Sequence, residues 1–325
     1  MHGLDSHDCA DRSDWAYAAG SCSMTEYVRR HWIPSTYLEA WCDPDVKHHN
    51  PRRAYRYTVD GRYKDWRTPK RMFTESDLYT VRSLDGYRDI TTEKALSRLE
   101  GSISSIRKHY LDNHLPLPPT ARKDLLSFIS ALHNRSPAMH AHQAALWNRL
   151  LEIAKSTKNS LQALSPGRAA TVLEAPRSLS GTTPHKHRNS LGELREVAAR
   201  QFGAYVLENM AIETEILEQM HLVIICIPAG RALVTSDRPV VLWDPQNPLA
   251  SGSRLGLARR TIEITVPLTP RLCAQISHRR GPDYADTDAE GEAVLNLRTL
   301  NRASEVFVAN SQNLVVDWLD EGDRD

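Results

Sequence analysis

Between residues 91 and 110 the apolar side chains recur every three or four positions, at Leu96, Leu99, Ile103, Ile106 and Tyr110. That spacing lays them along one stripe of an α-helix. A second helix is expected after the proline-rich connector 115–119, capped by Thr120 and burying Leu125, Phe128, Ile129 and Leu132. It should stop before Pro137, because the residue ahead of a proline is pushed out of helical geometry. A third helix is predicted over 140–164, turning Leu146, Leu150 and Ile153 inward, and a fourth over 191–219. Upstream, Pro34 suits the first turn of a short helix that puts Tyr37, Leu38 and Trp41 on one face.

The flanks of this helical block follow a different period. Residues 55–59 and 62–66 alternate around Asp60-Gly61, a strong hairpin signal. From residue 222 short β-type runs cover 222–227, 232–234, 240–243, 261–266 and 273–276. Residues 289–302 return to helix and 305–309 read as a closing strand. Strands, then helices, then strands predict an α+β fold: a mostly antiparallel sheet built from the N-terminal hairpin plus the C-terminal strands, with the helical middle block packed on it. Residues 24–320 are expected to form a single domain. Residues 1–23, polar and without a period, are expected to be a disordered or over-called N-terminal extension. The Pro-, Gly- and Ser-rich stretch 165–190 is expected to be a long loop.

Composition narrows the partners. Lys and Arg number 41 against 40 Asp and Glu, so no global field draws the chain to nucleic acid or to an anionic membrane. A local groove is still open to it: residues 52–71 interleave arginines with Tyr55, Tyr57, Tyr63 and Trp66, and read either as a basic patch or as the solvated face of the hairpin. The five cysteines are odd in number and widely spaced, which argues against a disulfide framework or a zinc knuckle. Cys226 and Cys273, inside apolar runs, are expected in the core. No stretch approaches the roughly 20 apolar residues that span a bilayer, and a cytoplasmic location is expected.

The candidate chemistry gathers around the segment Thr235-Ser236-Asp237-Arg238-Pro239, a polar turn between two apolar runs. Asp237 is a candidate metal ligand or base, or else simply closes an Asx-turn. Ser236 and Arg238 beside it are candidate anion contacts. His31 is a candidate general base, or a histidine at a helix start held by a backbone hydrogen bond. Arg135 ends an apolar helix; its guanidinium fork suits phosphate or carboxylate, and the structural alternative is an internal pair with Glu93, Glu100 or Asp237. His140 and His142, two apart on a helix, point away from each other and make poor joint ligands. The chain has no Walker loop, dinucleotide fingerprint, nucleophile elbow or zincin motif.

These pieces also carry a resemblance. His31-Trp32-Ile33-Pro34 with Tyr37-Leu38, Asp77-Leu78-Tyr79-Thr80, the helix bearing Glu93 and Glu100, Phe128-Ile129 with Asn134-Arg135-Ser136-Pro137, Thr235 to Val240, and Pro267-Leu268-Thr269-Pro270 stand in an order that resembles the domain-of-unknown-function family 4238. The family looks like a widespread microbial group without an assigned role, so the resemblance implies an architecture more than an activity. Where it leads one to expect glutamine two residues before the arginine, this chain has His133.

Two function classes stay open. One is a metal-assisted hydrolase acting on phosphodiesters, nuclease-like, with His31 as base, Asp237 and Glu100 holding a divalent ion such as Mg or Mn, and Arg135, Ser236 and Arg238 on the anion. The other is a non-catalytic binding or sensor protein in which the Ser-Asp-Arg turn and Arg135 clasp a small anion or a partner chain. Nucleic acid or a phosphorylated ligand is the partner expected, and no membrane. An Arg135 consumed by internal carboxylates would favour the second class.

Overall fold

The computed structural model describes residues 29–46, 51–76, 81–82, 88–89, 91–162, 202–248, 256–257 and 259–312. The expected N-terminal extension, the loop at 165–190, the turn 77–80 and the first part of the helix predicted from 191 lie outside the described residues. The chain runs through strand β1 (Arg29–His31), helix α1 (Ser35–Leu38), and the hairpin of β2 (Ala54–Thr58) and β3 (Tyr63–Arg67). Next come β4 (Thr74–Ser76), β5 (Val81–Arg82) and β6 (Arg88–Asp89), then helices α2 (Thr91–Ile106), α3 (Pro119–Asn134), α4 (Pro137–Gln162) and α5 (Phe202–Glu218). Strands β7 (His221–Cys226), β8 (Thr235–Ser236), β9 (Val241–Trp243), β10 (Glu263–Thr269), β11 (Leu272–Ser277) and β12 (Tyr284–Asp286) lead to helix α6 (Ala289–Arg302) and strand β13 (Val306–Ala309).

With these six helices and two main, mostly antiparallel sheets, the fold is α+β. The larger sheet runs β12-β7-β11-β10-β9, and only β12 lies parallel to its neighbour. The second runs β3-β2-β13-β8, so the hairpin joins the C-terminal strands, but in a sheet of its own. There Phe307 faces Tyr57 on one side and Ser236 on the other. The hairpin turn is where expected: Gly61 takes φ +83°, a left-handed conformation that a side chain disfavours. A small pair of strands, β1 with β4, puts His31 opposite Thr74.

The helical stripes pack as their periods require. Leu96, Ile103 and Ile106 of α2 are buried, as are Leu125, Phe128, Ile129 and Leu132 of α3. Tyr37, Leu38 and Trp41 join the same core, and Cys226 and Cys273 are both buried. No helix among the described residues is long and apolar enough to cross a membrane.

Four expectations need correcting. Residues 232–234 are not a strand, because their backbone is satisfied by side chains and a loop rather than by a ladder. Val234 N donates to Asn296 Oδ1 (2.9 Å), Asn296 Nδ2 donates to Ala232 O (3.2 Å), and Trp41 Nε1 donates to Leu233 O (3.1 Å). Next to them Thr235 and Ser236, expected in a surface turn, are fully buried in β8. On α4, Leu146, Leu150 and Ile153 are exposed rather than inward, at 45%, 46% and 54%. A helical period decides which residues share a stripe; it does not decide what the stripe meets. Finally, α3 starts at Pro119 with Pro118 at its N-cap and no side-chain cap, so Thr120 lies inside the helix.

Candidate functional site

Three of the residues picked from the sequence meet at one point. Arg135, the C-cap of α3, turns its guanidinium inward, where only 5% of the side chain is exposed. Its Nη1 donates to Glu100 Oε1 (2.8 Å) and its Nη2 to the carbonyl oxygen of His31 (2.5 Å). The arginine therefore ties α3 to α2 and to β1, and the internal-pair alternative holds with Glu100; the side chain of Glu93 lies outside the described residues. The Nε2 of His31 lies 3.2 Å from the Lys70 carbonyl oxygen, which only accepts, so Nε2 carries the proton. Burial lowers the His31 pKa below its ordinary 6.5, against the opposing pull of that carbonyl and of Glu100. The ring is thus neutral near pH 7.

The other three, Ser236, Asp237 and Arg238, form a separate group. Ser236 Oγ accepts from Arg238 N (3.1 Å), so the serine, not the aspartate, makes the local turn. Asp237 reaches across to the segment between α6 and β13. Its Oδ1 accepts from Ser304 N (2.8 Å) and its Oδ2 from Glu305 N (2.7 Å) and Val306 N (3.4 Å). Burial nevertheless raises the Asp237 carboxyl above its usual range, outweighing those amides and Arg238. As placed, Asp237 and Glu100 do not make a shared donor set: one is held by backbone amides, the other by Arg135. Among the described residues no three His, Cys, Asp or Glu side chains stand close enough to hold a metal ion.

Arg238 extends from its turn to line a cavity of about 460 Å³. Arg302, in the last turn of α6, lines it too, and each guanidinium is half-buried. Burial lowers both pKa values, against the opposing pull of Asp237 on Arg238, and the nearby charge of Arg238 lowers that of Arg302 further. Even so, a guanidinium stays protonated at neutral pH. Among the described residues, Arg302 has no hydrogen bond or ion pair, and the Arg238 guanidinium has only Ser304 Oγ at 3.5 Å. Like charges close together in poor solvent are unfavourable unless an anion joins them.

His133 from α3 and Glu213 from α5 line the same cavity. Ser130, His133 and Asn134 stand three and four residues apart and so present one helical face to α5. Glu213 accepts from all three: Ser130 Oγ at 2.9 Å, His133 Nδ1 at 3.0 Å and Asn134 Nδ2 at 2.8 Å. A carboxylate only accepts, so Nδ1 of His133 is assigned a proton, and whenever the ring is neutral Nε2 is left as an acceptor. Sequence reading missed His133, Glu213 and Arg302. The one available signal was the histidine at 133 in place of the expected glutamine; Glu213 and Arg302 look like ordinary helix-surface residues.

One other hollow and one surface stretch are less telling. A larger one, about 830 Å³, is lined by Arg107, Arg231, Arg271 and His114, among others. Arg231 is neutralised there by Glu292 (2.6 Å), and the His114 ring stacks on Tyr284 at 5.2 Å. The stretch 52–71 is divided: Tyr55 and Tyr57 are buried, while Tyr63 and Trp66 are exposed, with the Arg53 guanidinium 4.5 Å over the Trp66 ring and Arg56 paired with Asp65 (2.6 Å).

The family described as "Protein of unknown function (DUF4238)" matches residues 29–316, and the chain belongs to that family. No curated protein and no solved structure matches it.

Proposed function

We propose that this DUF4238 protein clasps a small anionic ligand, a phosphoryl group above all, in the cavity lined by Arg238 and Arg302. The observation that carries this reading is the pair of half-buried guanidinium groups lining one cavity, close enough for one to lower the pKa of the other: Arg302 has no ion pair among the described residues, and Asp237, the carboxylate that acts on Arg238, is itself held by three backbone amides. An anion between them would gain two charge-assisted hydrogen-bonding forks and relieve their mutual repulsion. At about 460 Å³ the cavity falls within the usual size of small-molecule pockets.

This is the binding-protein class named from the sequence, with the anion contacts shifted. Arg238 keeps its part, Arg302 replaces Arg135, and Ser236 shapes the turn. The metal-assisted phosphodiester hydrolase built on His31, Asp237 and Glu100 has less support, because Arg135 and backbone amides already hold its carboxylates.

Calorimetric titration with inorganic phosphate tests the proposal. Wild type should bind, and Arg238→Ala or Arg302→Ala should each weaken binding on the order of tenfold. A wild type that binds neither phosphate nor a nucleoside monophosphate would end it.

A further inference from the structure

The cavity that gathers the two arginines also holds a histidine oriented by a carboxylate. We propose that it cleaves a bound phosphodiester, with the His133–Glu213 pair activating water. This inference rests on the anion-binding reading above.

Glu213 would pin α3 to α5 without His133, since Ser130 and Asn134 already donate to its Oε2. The histidine adds something a pin does not need. Its Nδ1 is committed to Glu213 Oε1 at 3.0 Å, which sets the tautomer and would stabilise the imidazolium that forms on taking a proton. Its Nε2 has no partner among the described residues, and the ring lines the cavity with Arg238 and Arg302. A base held by an orienting acid, beside cations that fix an anion, is the arrangement required for general-base attack on that anion.

The two cations also select the reaction. A phosphodiester already carries one negative charge, and displacement at phosphorus concentrates charge on its non-bridging oxygens. Two fixed guanidinium groups match that, whereas an acyl ester would place a single oxyanion between two cations. In the step, water forms a new O–P bond as the P–O bond to the leaving alkoxide breaks. His133 Nε2 takes one water proton and passes it to the leaving oxygen. The products are a phosphomonoester and an alcohol, and the neutral His133 imidazole beside the Glu213 carboxylate is restored.

The probe is bis(4-nitrophenyl) phosphate in excess EDTA, with phosphate titrated in parallel. Wild type should turn it over without added metal. His133→Gln retains a donor for Glu213 but no base, so kcat should fall on the order of 100-fold with phosphate binding intact. Arg302→Ala should act mainly on KM. Wild type that binds phosphate but does not hydrolyse the probe would overturn the catalytic inference and leave the binding reading standing. So would turnover abolished by EDTA, or His133→Gln with full activity. Wild type that binds no phosphate would overturn both.

Discussion

Arg135 and Arg302 are both arginines at the C-terminal ends of helices, and they have opposite fates. Arg135 is almost fully buried and spends its guanidinium on Glu100 and the His31 carbonyl. Arg302 is half-buried beside a second arginine and has no ion pair among the described residues. The first location is complete as it stands and contributes to holding α2, α3 and β1 together. The second leaves Arg302 beside Arg238 without an ion pair of its own among the described residues. A cation left available to a ligand is therefore recognised by the lack of an internal partner, more than by residue type or by depth.

The sharpest break of this contrast is Arg135→Ala, which leaves the Glu100 carboxylate without its partner and opens a void between three elements. Stability should drop on the order of 3 kcal/mol, read by urea denaturation. Asp237→Asn comes next. If the aspartate merely closed an Asx-turn, asparagine would serve equally well. Because its two oxygens accept from Ser304 and Glu305, the asparagine amide must set a donor against one of those N–H groups, at a cost of about 1–2 kcal/mol in the same assay. Arg302→Ala should change stability by no more than about 0.5 kcal/mol, in either direction, while reducing the thermal shift induced by phosphate. Equal stability losses for Arg135→Ala and Arg302→Ala would erase the distinction between the two arginines.

The smallest effect concerns His31. Its folded-state pKa lies below the ordinary 6.5, chiefly through burial. The stability it contributes is thus full above that value and is lost as pH falls through the folded one. Between about pH 7 and about pH 5 wild type should lose more stability than His31→Gln, measured by thermal melts across that range.

Much of the fold was legible because it follows from local periods. The stripe from Leu96 to Ile106, the Asp60-Gly61 hairpin, the helix 289–302 and the closing strand after it all appear where the pattern placed them. The failures share a cause. Residues 232–234 have strand-like composition, yet a buried asparagine on α6 takes up their hydrogen bonds. Leu146, Leu150 and Ile153 form a proper helical stripe that no described element covers. At the site, the prediction that His31, Glu100 and Arg135 matter led to a true cluster, but one whose charges are already satisfied.

The sequence by itself determined most of the helices and strands, which of their faces are apolar, and hence the α+β class, because side-chain period and backbone preference act over a few neighbouring residues. Only the tertiary structure decided which polar groups are spent and which are left over. His133 meets Glu213 across 80 positions, Asp237 meets Ser304 across 67, and Arg302 comes to rest beside Arg238 with no acid in reach among the described residues. Pairing of that kind depends on how helices and sheets dock, and a charge shows no sign in the sequence of whether the docked neighbour will be its opposite, its like or open space.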